Sequence, residues 1–201
     1  MPKQVDHQER REAIARALWR VVDQQGWSRA TLREVAREAG VSLGQLQHYF
    51  GSRTAMLTFA MESAAERTAG RVAQGLAALD QPSHPRDVLR LVLVEMLPLH
   101  PDARASSRMS AAYVLEALHD PALRRQAGLG LRDGRAMVER LVREAIAQGR
   151  IAPDRDPAVE TDLVLALTGF SPLLELGVVP PAAALAAIDQ HLDRLFAVTS
   201  A

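Results

Sequence analysis

Cysteine is absent from the 201 residues, which excludes disulfides, thiolate metal sites and cysteine nucleophiles. Aromatic residues make up only 4% and β-branched residues are sparse, so the vocabulary that favours strands is thin. No uninterrupted apolar run reaches the roughly 18 residues of a membrane span. The first residues, Met1 to Asp6, lack the apolar segment of a secretory signal. A cytoplasmic protein without a membrane partner is therefore expected. An excess of charge of one sign is missing too, since 24 Lys and Arg balance 24 Asp and Glu.

What is present is a large apolar fraction, 48%, enough to build a core and to exclude a disordered chain. Leu, Ala, Arg, Glu and Val dominate, a balance that favours helix. An all-α protein of one or two domains is expected. The charge is unevenly spread. Residues 1–55 hold nine Lys and Arg against six Asp and Glu, a net +3, which leaves −3 for the remainder. A basic head on an acidic body suits contact of the head alone with phosphate, although a solvated helical face has the same look.

Apolar periodicity and punctuation predict about nine helices. The first runs from about His7 to Gln25 and ends at Gly26. Thr31 caps the second, with Glu34 completing a capping-box pattern, and Gly40 stops it. Ser42 caps a third helix that reaches Phe50, and Ser52 caps a fourth reaching about Ala78. Pro82 and Pro85 bound a loop. Further helices are expected over about 87–97, 100–118, 121–148, 157–176 and 181–198. Gly128, Gly130 and Gly134 superficially evoke a dinucleotide loop, but they follow no strand and are read as a kink or a close helix contact.

The informative stretch is 31–50, where two short helices meet across Ala39-Gly40-Val41-Ser42. So tight a connection forces a steep crossing, the geometry of a helix-turn-helix. Packing of Val35, Ala36 and Val41 against Leu46 and Phe50 would leave Leu43, Gly44, Gln45, Gln47 and His48 on the free face. Glutamine can bond adenine bidentately, and Leu43 can meet a thymine methyl. Gly44 permits close approach, and Ser42 with the helix N-terminus favours a phosphate. Thr31, Arg33, His48, Tyr49 and Arg53 are placed to clamp the sugar-phosphate backbone. The bland alternative is a pair of short core helices with polar outer faces.

The run from Thr31 to Arg53 resembles the DNA-binding signature of the TetR family of bacterial regulators. The resemblance implies a recognition helix over Leu43 to Phe50 and a phosphate contact by Arg53. Two positions depart from the family: Gln47 stands where Tyr is usual, and Leu43 where Lys or Ala is frequent, so the operator sequence does not transfer. The body is similar to BetI-like members through Met96-Leu97-Pro98-Leu99, Arg104, Arg108, Asp120-Pro121-Ala122-Leu123 and Gly149-Arg150-Ile151-Ala152-Pro153 leading to Asp156-Pro157.

The implied organisation is a helix-turn-helix DNA-binding domain over 1–55 and a helical ligand-binding and dimerisation domain over 56–201. The implied partners are double-stranded operator DNA, a second copy of the chain through the last two helices, and a small, mostly hydrophobic effector. Leu163, Leu165, Leu167, Phe170, Leu173 and Leu174, with Leu185, Ile188, Leu192, Leu195 and Phe196, are the residues for the dimer, or else simply for internal packing. Effector candidates are Met96, Met109, Tyr113, Met137 and Phe170 as apolar lining, and His100, Arg108, Glu116 and Thr168 as polar contacts. No cofactor, metal or catalytic residue is expected. An all-α enzyme is the rival from another class, but no H-E-x-x-H, G-x-S-x-G, P-loop or kinase pattern occurs. A structural dimer without a DNA role is the third reading.

Overall fold

A computed structural model describes residues 2–79 and 83–197. Ten α-helices and no strand occur among the described residues: α1 (Pro2–Gln25), α2 (Leu32–Ala39), α3 (Leu43–Tyr49), α4 (Arg53–Ala77), α5 (Pro85–Glu95), α6 (Pro101–Ala117), α7 (Pro121–Ala147), α8 (Pro157–Ala166), α9 (Phe170–Glu175) and α10 (Pro181–Leu195). None of them is long and apolar enough to cross a membrane. The all-α expectation holds. Helix α1 begins five residues before the expected His7, and α5 begins at Pro85, capped by the His84 imidazole, which accepts from the Arg86 N–H. Proline at the first helical position is favourable because its missing N–H would be unpaired there anyway. The expected loop boundary at Pro82 and helix end near Val198 lie outside the described residues.

The segment expected as one helix over 157–176 is instead broken. α8 ends at Ala166, a single 3-10 turn covers Leu167–Gly169, and α9 follows. Pro172 supplies the reason: it has no N–H to give and its ring crowds the carbonyl four residues back, at Thr168. The Thr168 hydroxyl meanwhile bonds the Leu165 carbonyl at 2.7 Å.

The chain divides into two compact units. The first comprises residues up to Arg67 together with Ala105–Ala127. Its core sets Ile14, Leu18, Val21 and Val22 of α1 against Val35, Ala36, Leu46, Phe50, Met56 and Leu57, joined by Met109, Tyr113, Ala117 and Leu123. Each Val, Leu, Ile, Met or Phe among them contributes roughly 1.5–3 kcal/mol on burial. Trp19, otherwise buried, donates its indole N–H to the Ala60 carbonyl at 3.3 Å. The grouping by contact thus takes in part of the body as well as residues 1–55.

The second unit comprises Thr68–Arg104 and residues from Gly128 onward. Leu89, Val92, Leu93 and Leu97 meet Val138, Val142, Ile151, Val164, Ile188, Leu192 and Leu195 in its core. Gly75 lets α4 approach α5 closely, for a Cβ there would lie 2.7 Å from the Leu91 side chain. The α7 glycines do not share that role. A Cβ at Gly130 or Gly134 would meet nothing, and at Gly128 only the flexible Arg132 of the same helix, so close helix packing does not account for them. Arg86 and Arg90 of α5 tie to Asp189 of α10, with Arg90 Nε donating to the carboxylate at 2.6 Å. The dimer candidates divide: Ile188, Leu192 and Leu195 are buried within this unit, whereas Leu163 and Leu173 are exposed, as are Val159, Leu176 and Val178.

Candidate nucleic-acid interface

The corner between α2 and α3 is built from its caps. Thr31 Oγ1 accepts the Glu34 N–H at 3.2 Å. The Glu34 carboxylate does not return the bond as a capping box would; Arg37 and Gln25 take it, and the hydrogen bond from Arg37 holds it below the usual carboxylate range. At the other end Gly40 adopts φ 67°, a left-handed conformation open to glycine at little cost. Its N–H bonds the Arg37 carbonyl at 3.2 Å, and the Val41 N–H reaches back to Ala36 at 3.0 Å. Ser42 then opens α3 with a complete capping box: its hydroxyl accepts the Gln45 N–H at 3.1 Å and its own N–H donates to Gln45 Oε1 at 3.0 Å. Arg20 of α1, 2.6 Å from Glu38, pins α2 from outside.

The turn faces Leu46 and Phe50 inward, where both are buried. Gly44, Gln45, Gln47 and His48 are exposed along the opposite side, with Leu43 and Tyr49 half-buried at its margins. Thr31, Arg33 and Ser42 are also exposed. All of these sequence-derived residues are thus at least partly exposed. Gln45 has a second duty there, since its side-chain oxygen already caps the helix while its amide N–H groups remain for a base or phosphate.

Arg53 is engaged more deeply than the sequence showed. Its Nε donates to the Ala30 carbonyl at 3.2 Å and its Nη1 to Glu116 Oε1 at 2.7 Å. Its guanidinium carbon lies 4.1 Å from the Trp27 ring centroid, and the Trp27 indole N–H donates to Glu116 Oε2 at 3.1 Å. Beside this network, Thr54 donates to Asp120 at 3.3 Å. Backbone N–H bonds from Leu123 and Ala122 hold the Asp120 carboxyl low. Trp27 had no local signal in the sequence because its partner is 89 residues away. His7 was missed as well: its ring packs edge-on against Tyr49, centroids 4.6 Å apart.

The effector candidates fall in both units. Met109 and Tyr113 are buried in the first, where burial raises the Tyr113 phenol above its ordinary value. Glu116 holds Arg53, and Arg108 donates to the Asp23 carboxylate at 2.9 Å. In the second unit, Met96 and Met137 are substantially exposed, while Thr168 and Phe170 are half-buried. His100 uses both ring nitrogens. Nδ1 accepts the Ala103 N–H at the start of α6, which leaves the proton on Nε2, 3.3 Å from Glu95. Arg71 bonds the same carboxylate at 2.7 Å. Burial pushes Glu95 up, but the bonds from Arg71 and His100 outweigh it and leave the carboxyl below its ordinary value. A cleft of about 220 Å³ lies elsewhere, lined by Gln8, Glu12, Phe59, Glu62, Ser63, Glu66 and Arg67, and includes none of the candidates.

Comparison with known proteins agrees with this architecture. The tetR family of bacterial regulatory proteins matches residues 14–58, and the C-terminal domain of BetI-type transcriptional repressors matches residues 85–197. The transcriptional regulator PksA of Bacillus subtilis is 37% identical over 119 residues, 59% of this chain and 57% of that protein. The chain thus matches less than three fifths of that curated relative's length. A TetR-family regulator from Rhodococcus sp. superposes with a TM-score of 0.81 at 23% identity, covering 94% of this chain and 100% of the other. A regulator from Saccharomonospora viridis, solved in complex with choline, gives a TM-score of 0.77 at 19% identity, covering 93% of this chain and 95% of the other. Regulators of this family bind DNA and are not enzymes, which removes the enzyme reading. A helix-turn-helix opening at residue 31 and a helical body matched over most of its length together make this chain a member of the tetR family of bacterial transcriptional regulators, with a C-terminal domain of the BetI-type repressors.

Proposed function

We propose that the chain acts as a homodimeric repressor in the cytoplasm, occupying a palindromic operator and leaving it when a small molecule binds the body. Residues 1–55 serve as the DNA-binding domain and 56–201 as the ligand-binding and dimerisation domain. The observation that carries the reading is the capped corner at Gly40 and Ser42, which buries Leu46 and turns Gly44, Gln45, Gln47 and His48 outward beside Arg53. Gln47 reads a base edge, and Thr31, Arg33, Tyr49 and Arg53 set register on the backbone.

Release is a population shift. The DNA-competent dimer holds its recognition helices about 34–36 Å apart, one duplex turn, and effector favours a different spacing. Helix α6 is suited to report the effector, because it carries Arg108, Met109, Tyr113 and Glu116, and Glu116 grips Arg53 directly. The effector is a small and mostly hydrophobic molecule. Choline, in complex with which the Saccharomonospora viridis regulator was solved, is one compound to try. Dimerisation uses the exposed Leu163 and Leu173, to which Val159, Leu176 and Val178 add.

Selection of bound duplex from a random library tests the proposal. A palindromic consensus is expected, with affinity falling steeply as salt rises. Folded protein that enriches no site at low salt would remove the repressor reading and leave a helical dimer without a DNA role.

A further inference from the structure

Three rings meet at the C-terminal end of the recognition helix. His7 of α1 lies 4.6 Å from Tyr49 and 6.1 Å from His48, centroid to centroid, and His48 lies 5.7 Å from Tyr49, every pair edge-on. Both imidazoles are exposed, as is Gln47. Ring centroids about 6 Å apart leave room for one tetrahedral oxyanion to accept a hydrogen bond from each imidazole, given N–H···O distances of about 2.8 Å.

The surrounding charges favour an anion. Helix α3 carries no Asp, Glu, Lys or Arg, so His48 and Tyr49 are its only ionisable side chains. On α1 the positions one turn after His7 are Arg10 and Arg11. Arg11 sits over the Phe59 ring at 4.3 Å. The acidic residues of α1 and α4 include Glu9, Glu12, Glu62 and Glu66. Glu12 bonds Gln8 and pairs with Arg16, and Glu62 and Glu66 of α4 line the cleft with Gln8, Glu12 and Arg67, which does not include His7. No bond from either imidazole to a carboxylate occurs among the described residues, and a phosphate of the DNA backbone would give the charged rings an acceptor.

We propose that His7 and His48 form a protonatable phosphate clamp that extends the DNA footprint onto α1 and links operator affinity to pH. The inference rests on the DNA-binding reading above. Histidine changes charge between pH 5 and 8. A phosphate held by the charged form favours proton uptake on binding, so affinity rises as pH falls. Each coupled histidine can contribute at most about tenfold per pH unit.

Fluorescence anisotropy with the selected operator duplex, at fixed ionic strength from pH 8 to pH 6, reads the effect. For the unmodified protein, affinity should rise about tenfold across that range. His7→Gln should lose about half of the logarithmic gain between pH 8 and pH 6, and show a salt slope shallower by about 0.9 at pH 6. His7→Gln/His48→Gln should be nearly insensitive to pH, with thermal unfolding at pH 6 checking that the fold is intact. Parental pH dependence in the folded double variant, or pH-independent binding by the parent, would overturn the clamp while leaving DNA binding itself in place. Absence of duplex binding at every pH would overturn both.

Discussion

Arg53 has five N–H donors, of which the Ala30 carbonyl and Glu116 occupy two, leaving three for a phosphate. A guanidinium laid on an indole and gripped on one edge is held in a defined plane. Arg53→Ala should therefore weaken all duplexes alike and make the salt slope shallower by about one contact, whereas Gln47→Ala should change which bases are preferred, by about 1–3 kcal/mol at the affected position. Competition assays against mismatched operators separate the two, and equal, sequence-blind losses would refute the role of Gln47. Under the proposed DNA-binding role, Glu116 would compete with phosphate for Arg53. Both partners are about one-third exposed, so the pair is partly screened and its contribution is modest. Glu116→Gln should tighten operator binding by about two- to fivefold, as titration at low salt would show; weaker binding would mean that Glu116 instead supports the DNA-bound arrangement. Arg53 was legible in the sequence because its motif is local. Its contact with Glu116 was not legible, since nothing in the sequence connects residues 63 positions apart.

At the level of elements, the helix-turn-helix depends on two caps. Gly40 has φ 67°, and Ala there strains the backbone by about 1 kcal/mol, while Ser42→Ala removes the capping box at a similar cost. Both variants should unfold at lower denaturant and bind operator more weakly; unchanged urea midpoints would contradict the capping account. The α5–α10 contact adds a pH term. The hydrogen bond from Arg90 draws the Asp189 carboxyl below its ordinary value, so its stabilisation is fully present above about pH 4, the unfolded value, and is lost as pH falls through the lower folded value. Asp189→Asn should flatten the decline of stability below about pH 4, measured by urea unfolding at successive pH values. These caps could be read in advance, because Gly-Val-Ser and Asp-Pro signals act within four residues. The arginine–aspartate contact and the break at Leu167–Gly169 were not read. The first joins distant segments, and the apolar pattern of the second runs on across Pro172.

For the whole molecule, apolar side chains left in water need an account. Leu176 is 77% exposed and Val178 66%, with Leu163 and Val159 about half exposed. Under the dimeric reading proposed above, these residues supply the interface. Replacing Leu163 and Leu176 together by Glu should yield a monomer in sedimentation velocity and lower palindrome affinity toward that of a half-site. A double variant that remains dimeric would place the interface elsewhere.

The all-helical class, the position of the helix-turn-helix and most helix ends were determined by sequence alone, because caps, prolines and 3.6-residue periodicity are short-range physics. Only tertiary structure decided which apolar residues of α8 to α10 are consumed inside the chain, that Met109, Tyr113 and Glu116 pack with the head, and that His7 joins the recognition helix. Those outcomes depend on which faces meet in space, and a hydrophobic stripe reads the same whether its partner is its own chain, a ligand or a second copy.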